Sequence, residues 1–274
     1  MAEMDLAKRK ILLTGGTSGL GLETARGLLA GGAEVYAMGR KLNDKLSEDP
    51  GYRFIRTDFS DMDQLTGTMR ELLNSNLRFD LIINNAGVLS PPEYNETVNG
   101  YEHTFQVNFL SHLVINEMIL KHDAYGDKLN IIAVTSPVYN HIKPDFRIPE
   151  KTTYKSFRIY SESKYYMLLI GDILKRDFPD VNFGFYAFNP GTFGSGIYRM
   201  QKPWFHILYR TAAPFMRSSS NVAGSLCRVA AREEKEINAI YSRNRIKPSF
   251  ITPNSKEAEE FMTRCSELVK DITS

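Results

Sequence analysis

The sequence predicts an α/β protein: a doubly wound parallel sheet of about seven strands flanked by helices, in a single domain over residues 1–274. Three observations lead there. Short β-rich runs alternate with stretches of helical period, the pattern of parallel strands joined by right-handed crossovers. A glycine-rich turn lies between the first such run and the first helix. A length of 274 residues is one that a doubly wound unit reaches without dividing.

Strands are expected near Lys10 to Thr14, Glu34 to Met38, Tyr52 to Arg56, Asp80 to Asn84, Asn130 to Thr135 and Asn182 to Phe188. Helices are expected between them, at about Leu20 to Ala30, Asp61 to Leu73, Tyr101 to Lys121 and Arg158 to Phe178. The first stops at Gly31-Gly32, where glycine accepts the left-handed conformation, and Pro179 cannot continue the last. Two further helices are expected at Asn221 to Ala231 and Ser255 to Val269. Between them and the sixth strand, residues 192–220 are rich in Phe, Tyr, Trp, Pro and Arg without a clean period, and read as a flap over a substrate.

Composition excludes several classes. With 42% hydrophobic and 24% charged residues and a net charge of +2, the chain can bury a core without staples and carries no basic run for nucleic acid. Cys227 and Cys265 stand far apart with no metal or dithiol spacing, and the five histidines form no ligand cluster, so no metal is expected. The first residues, Met1 to Leu6, include acids and lack the order of a signal peptide, and no apolar run is long enough for a transmembrane segment. A cytoplasmic location is the expectation.

Chemistry begins after the first strand, where Thr14-Gly15-Gly16-Thr17-Ser18-Gly19-Leu20-Gly21 opens directly into a helix. Glycines at this place in a Rossmann unit let the backbone approach a pyrophosphate, and the helix N-terminus supplies amides and a positive dipole. An NAD site places a carboxylate at the end of the second strand; here that strand ends Met38-Gly39-Arg40-Lys41. Arg40 can pair with a 2′-phosphate, so NADP(H) is expected over NAD(H). Asp58, followed by Phe59, is placed to meet an adenine edge, or else caps the helix near Asp61.

Further segments follow in order: Asn84-Asn85-Ala86-Gly87 after the fourth strand, Val107-Asn108 in a helix, Ser136 ending a strand, Tyr160 through Lys164 opening a long helix, and Asn189-Pro190-Gly191-Thr192. With the glycine loop, these six elements resemble the short-chain dehydrogenase/reductase family over about residues 8 to 245. Tyr160 and Lys164 are one helical turn apart and share a face. A phenol with an ordinary pKa near 10 becomes usable as a proton shuttle beside an ammonium that stabilises its phenolate. The resemblance implies that Ser136 holds the substrate oxygen, that Lys164 also binds the nicotinamide ribose, and that Asn108 anchors a water relaying protons toward Lys164. It assigns Gly15, Thr17, Ser18, Gly19, Leu20, Gly21, Asn85, Ala86, Gly87, Pro190, Gly191 and Thr192 to nucleotide binding, beside Arg40, Asp58, Phe59, Tyr160 and Lys164. It also suggests a homodimer or homotetramer through the two long helices.

Twenty-four positions separate Ser136 from Tyr160. This long gap, with Asn95 to Glu102 before Phe105 to Asn108, looks like the retinol dehydrogenase and protochlorophyllide reductase branch, which favours NADP(H). Phe193-Gly194-Ser195-Gly196 departs from the branch's usual continuation. Phe193 and Tyr198, with Trp204 and Phe215 of the flap, supply apolar area for a lipophilic ketone, aldehyde or alcohol, or equally for packing. Two other functions are consistent with the residues: reduction of an activated C=C bond with the same Tyr–Lys pair, and a nucleotide-sensing scaffold without turnover.

Overall fold

The computed structural model describes residues 6–193, 217–232, 239–242, 245–247 and 255–274. Strands β1 (Lys10–Thr14), β2 (Glu34–Gly39), β3 (Tyr52–Arg56), β4 (Phe79–Asn84), β5 (Tyr125–Val134), β6 (Phe183–Phe188), β7 (Ile240–Ser242) and β8 (Arg245–Lys247) form one sheet in the order β3-β2-β1-β4-β5-β6-β7-β8. The first seven run parallel and β8 pairs antiparallel to β7. The sheet therefore carries one strand more than the sequence predicts, at an antiparallel edge. Chain order reverses at β1, which lies between β2 and β4, and the crevice beyond the strand C-termini at such a switch point is where doubly wound sheets bind ligands.

Helices α1 (Gly19–Ala30), α2 (Met62–Leu73), α3 (Ser111–Lys121), α4 (Ser156–Asp177), α5 (Ser219–Ala231) and α6 (Lys256–Thr273) cover the two faces. Alternation along the strands divides the core: Ile11, Leu13, Leu81 and Ile83 face α1 and α5 with Leu28 and Leu226, whereas Leu12, Ile82 and Ile131 face α2, α3 and α4. Both faces are covered, which is why the central strands read as continuous apolar runs.

Boundaries follow from local chemistry. Asp61 accepts a hydrogen bond from the Gln64 amide at 2.9 Å and caps α2, so the cap belongs to Asp61 and not Asp58. The left-handed residue after α1 is Gly32, with φ +83°; Gly31 stays at φ −85°. The single helix expected over Tyr101 to Lys121 runs without interruption from His103 to Lys121 but is not regular: a first turn at His103–Phe105, capped by Glu102, passes into a π-helical turn at Gln106–Leu110 and on into α3. α6 lays Phe261, Cys265 and Val269 against Phe109 of the π turn and Tyr166 of α4, with the Phe261 and Tyr166 rings 4.4 Å apart. The long segment before α4 contributes Phe146, held at φ +52°, to the same aromatic group.

Glu117 of α3 is buried, one carboxylate oxygen lacks a protein partner, and burial with Asp177 nearby raises its pKa to about 7. A carboxyl raised in the folded state opposes folding above its unfolded value. The cost grows as pH rises from about 4.5 to about 7 and is full above that. Glu117→Gln is expected to raise the unfolding free energy by about 1–3 kcal/mol at pH 8. Melting curves of both proteins between pH 5 and 8 check this, and the gap should narrow toward pH 5.

Candidate active site

The glycine loop is built from both ends of the crevice. Gly21 lies so close to the loop that a Cβ there would come 2.0 Å from the Gly15 carbonyl oxygen, and Gly15 itself sits at φ +67°. The Asn85 side chain donates to the Thr14 carbonyl at 2.9 Å and holds the turn from beneath. The N-terminus of α1 has no side-chain cap and no acid in its first turn, so its amides and dipole face the crevice. Leu20 turns its side chain into the core beside Ala25 and Leu28, leaving only its backbone for a ligand.

An open cleft of about 460 Å³ adjoins this loop, lined by Thr17, Ser18, Arg40, Lys41 and Leu42. It puts Arg40, exposed at the end of β2, beside the loop residues Thr17 and Ser18. Asp58 turns one carboxylate oxygen onto Ser60, accepting from its amide at 3.0 Å and its hydroxyl at 2.7 Å. Phe59 is buried, and its carbonyl accepts from Ser111 Oγ at 2.8 Å and Gln106 Nε2 at 3.2 Å, so it ties the end of β3 to the π turn.

Beyond β4 the backbone of Val88 is clasped by one side chain: its amide donates to Asn108 Oδ1 at 2.7 Å and its carbonyl accepts from Asn108 Nδ2 at 2.9 Å. Asn108 Nδ2 also lies 3.0 Å from Ser163 Oγ, which donates to the Tyr160 carbonyl at 2.7 Å. The side chain of Asn108 is thus engaged in fixing the β4 loop to α4. Ala86 is buried, and Gly87 leaves the opening: a Cβ there would stand 3.1 Å from Lys164 Nζ and 3.4 Å from Asn108 Oδ1.

Tyr160 and Lys164 are both buried on the inner face of α4. Lys164 Nζ donates to the Val134 carbonyl at 3.2 Å, and the Thr135 hydroxyl donates to the Lys164 carbonyl at 2.7 Å, so the end of β5 locks this turn of the helix. Burial lowers the Lys164 ammonium to about 8. Ser136 follows immediately, half-buried, opening a short turn at Pro137–His141. The inserted segment is pinned to the same helix: Glu162 accepts from the Asp145 amide at 3.0 Å and from Arg158 Nε at 3.0 Å, and Arg158 also pairs with Asp145. Tyr154 and Ser156 donate to the Pro91 and Ser90 carbonyls at 2.6 and 2.9 Å, closing the segment onto the loop after Val88.

β6 brings Pro190, Gly191 and Thr192 to the same edge, with Gly191 at φ +71° and its amide on Asn189 Oδ1 at 3.0 Å. Phe193 packs at the edge of the core on the α1 side. Tyr198, Trp204 and Phe215, and with them most of the expected flap, lie outside the described residues. Among the described residues, no three His, Cys, Asp or Glu side chains come together as metal ligands, and no helix is long and apolar enough to cross a membrane.

Three polar residues of this region escape sequence reasoning. Thr14 Oγ1 accepts from the Asn85 and Ala86 amides at 2.8 and 2.9 Å. His112, wholly buried on α3, meets Thr14 Oγ1 at 3.0 Å. Asn84 is wholly buried with neither its oxygen nor its nitrogen paired to protein. In sequence each looks like an ordinary strand or helix residue, and only the tertiary structure reveals what surrounds it.

Comparison with known proteins bears on the family and the fold. The family model for short chain dehydrogenases matches residues 9–197. A WW domain-containing oxidoreductase of Drosophila melanogaster is 27% identical over 262 residues, covering 88% of this chain, which spans 63% of that protein. Human retinol dehydrogenase 12 is 25% identical over 282 residues, covering 97% of this chain and 88% of the relative. A Beutenbergia cavernae structure described as an NAD(P)-dependent gluconate 5-dehydrogenase with bound NADP superposes with a TM-score of 0.61 at 19% identity, covering 82% of this chain and 90% of that one. At that identity the likeness is one of fold.

Proposed function

The chain belongs to the short-chain dehydrogenase/reductase family, and from that premise we propose that it is an NADP(H)-dependent oxidoreductase of the retinol dehydrogenase-like branch, acting on a lipophilic carbonyl or alcohol, a reading supported by the similarity to retinol dehydrogenase 12. The observation that carries the proposal is the buried Lys164 ammonium under the gap that Gly87 leaves, one helical turn from Tyr160, at the C-terminal edge of the sheet.

The residues present fit a dinucleotide: the Gly15–Gly21 cradle excludes side chains, and the α1 N-terminus is uncapped and free of acids. Gly15, Thr17, Ser18, Gly19, Leu20 and Gly21 would hold the pyrophosphate, Arg40 the 2′-phosphate, Asp58 and Phe59 the adenine end, and Asn85, Ala86, Gly87, Pro190, Gly191 and Thr192 the remainder. When bound, NADP(H) supplies or accepts the hydride at its nicotinamide ring. Tyr160 moves the proton: it donates to the carbonyl oxygen in reduction and takes the hydroxyl proton in oxidation. Ser136 holds that oxygen. Lys164 favours the phenolate by its charge and binds the nicotinamide ribose. Asn108 acts through its backbone, since its side chain is engaged by Val88 and Ser163. Phe193 would border the substrate, and Tyr198, which lies outside the described residues, is proposed beside it. The α3–α4 face is covered by α6, so a dimer or tetramer would join copies across that helix or elsewhere.

Two measurements test this. Medium-chain and aromatic aldehydes and ketones, decanal among them, are expected to oxidise NADPH and yield the alcohol; a saturated C–C bond from an enone with the carbonyl intact would assign the protein to C=C reduction, and absence of turnover with tight NADPH binding would assign it to nucleotide sensing. Arg40→Ala is expected to raise the Kd for NADPH about 10- to 100-fold and that for NADH less than about threefold. Titration of nucleotide fluorescence checks it, and equal losses for both would remove Arg40 from the 2′-phosphate.

A further inference from the structure

We propose that His112 is a positioning residue for the reaction: a neutral imidazole strut that joins the floor of the nucleotide loop at Thr14 to the backbone carbonyl of Asn108. The inference rests on the reading given above for Tyr160 and Lys164. It starts from hydrogen-bond accounting. His112 Nδ1 lies 3.0 Å from the Asn108 carbonyl oxygen, which can only accept, so Nδ1 carries the proton. The Thr14 oxygen already accepts two amides, from Asn85 and Ala86, which fills both lone pairs. Its single proton is then available for His112 Nε2 at 3.0 Å, closer than the Ile83 carbonyl at 3.3 Å. A protonated ring would press a third donor on Thr14 and place a cation in a wholly buried site near Lys164. Burial lowers the His112 pKa to about 3, the direction this arrangement requires.

The strut has a mechanical reason. Asn108 sits in the π turn, where the Ser111 amide reaches back to the Gln106 carbonyl and the regular helical register is lost. The Asn108 side chain is held by Val88 and Ser163, and in such a turn its backbone carbonyl takes a further tie from outside the regular ladder. His112 fastens that carbonyl to Thr14, and Thr14 fastens Asn85 and Ala86. One ring thereby fixes the separation between the turn before Gly87 and the residue that, with Lys164, bounds the Gly87 opening.

The test compares His112→Phe, which keeps the ring and loses both bonds, with His112→Asn, whose shorter amide can reach the carbonyl four residues back as Asn116 does to His112. In nitrogen-15 NMR of histidine-labelled protein at pH 7.5, the resonances lost in His112→Phe are expected to be those of a neutral ring protonated on Nδ1. Per folded molecule, kcat for decanal with NADPH is expected to fall about tenfold or more in His112→Phe with KM for decanal changed less than about threefold, and His112→Asn is expected to recover part of kcat. Both variants lose the Thr14 bond, so both should bind NADPH about 3- to 10-fold more weakly. An Nε2-protonated ring overturns the proposal. So does a folded His112→Phe with wild-type kcat and NADPH affinity, or, where that variant does not fold, a His112→Asn with wild-type NADPH affinity. Absence of decanal reduction by the unaltered protein strikes the functional reading alone, and the tautomer and NADPH affinity still decide for or against His112.

Discussion

Tyr160→Phe is expected to lower carbonyl turnover by about 10³-fold or more while leaving the thermal midpoint and the NADPH Kd within about twofold of the unaltered protein. The phenol ring stays, buried on α4 as before, and only the hydroxyl is removed. If the hydroxyl carries the proton to the developing alkoxide, its described neighbours replace it poorly: Lys164 is already committed to the Val134 carbonyl and Ser163 to the Tyr160 carbonyl, and the Ser136 hydroxyl, far less acidic than a phenol, serves to hold the oxygen. Steady-state kinetics with a separate nucleotide titration distinguish lost proton transfer from lost binding. A residual rate above a tenth of the unaltered protein's would mean that proton transfer lies elsewhere.

Lys164→Met separates catalysis from stability in opposite directions. Turnover should fall about 10²-fold or more, because the charge that favours the phenolate is gone. Stability of the nucleotide-free protein should rise. Burial lowers Lys164 to about 8 from 10.5, so folding is opposed by the desolvation of an ammonium that the unfolded chain leaves in water. A lysine lowered in the folded state opposes folding fully below about pH 8, and the opposition fades as pH rises toward 10.5. The gain is expected to reach about 2–3 kcal/mol at pH 7 and to shrink at pH 10, measured by denaturant unfolding at both. A Lys164→Met variant less stable than the unaltered protein at pH 7 would show that the bond to Val134 outweighs the desolvation.

How much of this is legible in the sequence varies with the kind of signal. β1 falls at the expected residues because it is a short apolar run closed by the glycine turn, β3 because Tyr52, Phe54 and Ile55 favour a strand between Pro50-Gly51 and Asp58, and α2 begins at its Asp61 cap, also a local signal. β5 starts earlier than expected, at Tyr125, because Tyr125-Gly126-Asp127-Lys128 is polar and joins the sheet through a register shift opposite Phe79 and Leu81. The π turn at Gln106–Leu110 is invisible to periodicity, because every residue from Thr104 to Leu120 is buried and the helix has no apolar stripe whose phase could shift. The glycine loop and the Tyr160–Lys164 pair are readable because their chemistry needs fixed spacing. The tie from His112 to Thr14, 98 positions apart, depends on how β1 lies against α3, and no local pattern encodes that. α6 reads as an amphipathic helix, but that it lies on Phe109 and Tyr166 is set by tertiary packing.

The most direct test follows a label. NADPH carrying deuterium at the transferring C4 position, incubated with decanal, should give decanol with deuterium on the carbinol carbon, formed readily by the unaltered protein and only in trace by Tyr160→Phe. Decanol formed without deuterium from either face of the ring, or formed equally by both proteins, would contradict a hydride transfer completed by the Tyr160 proton.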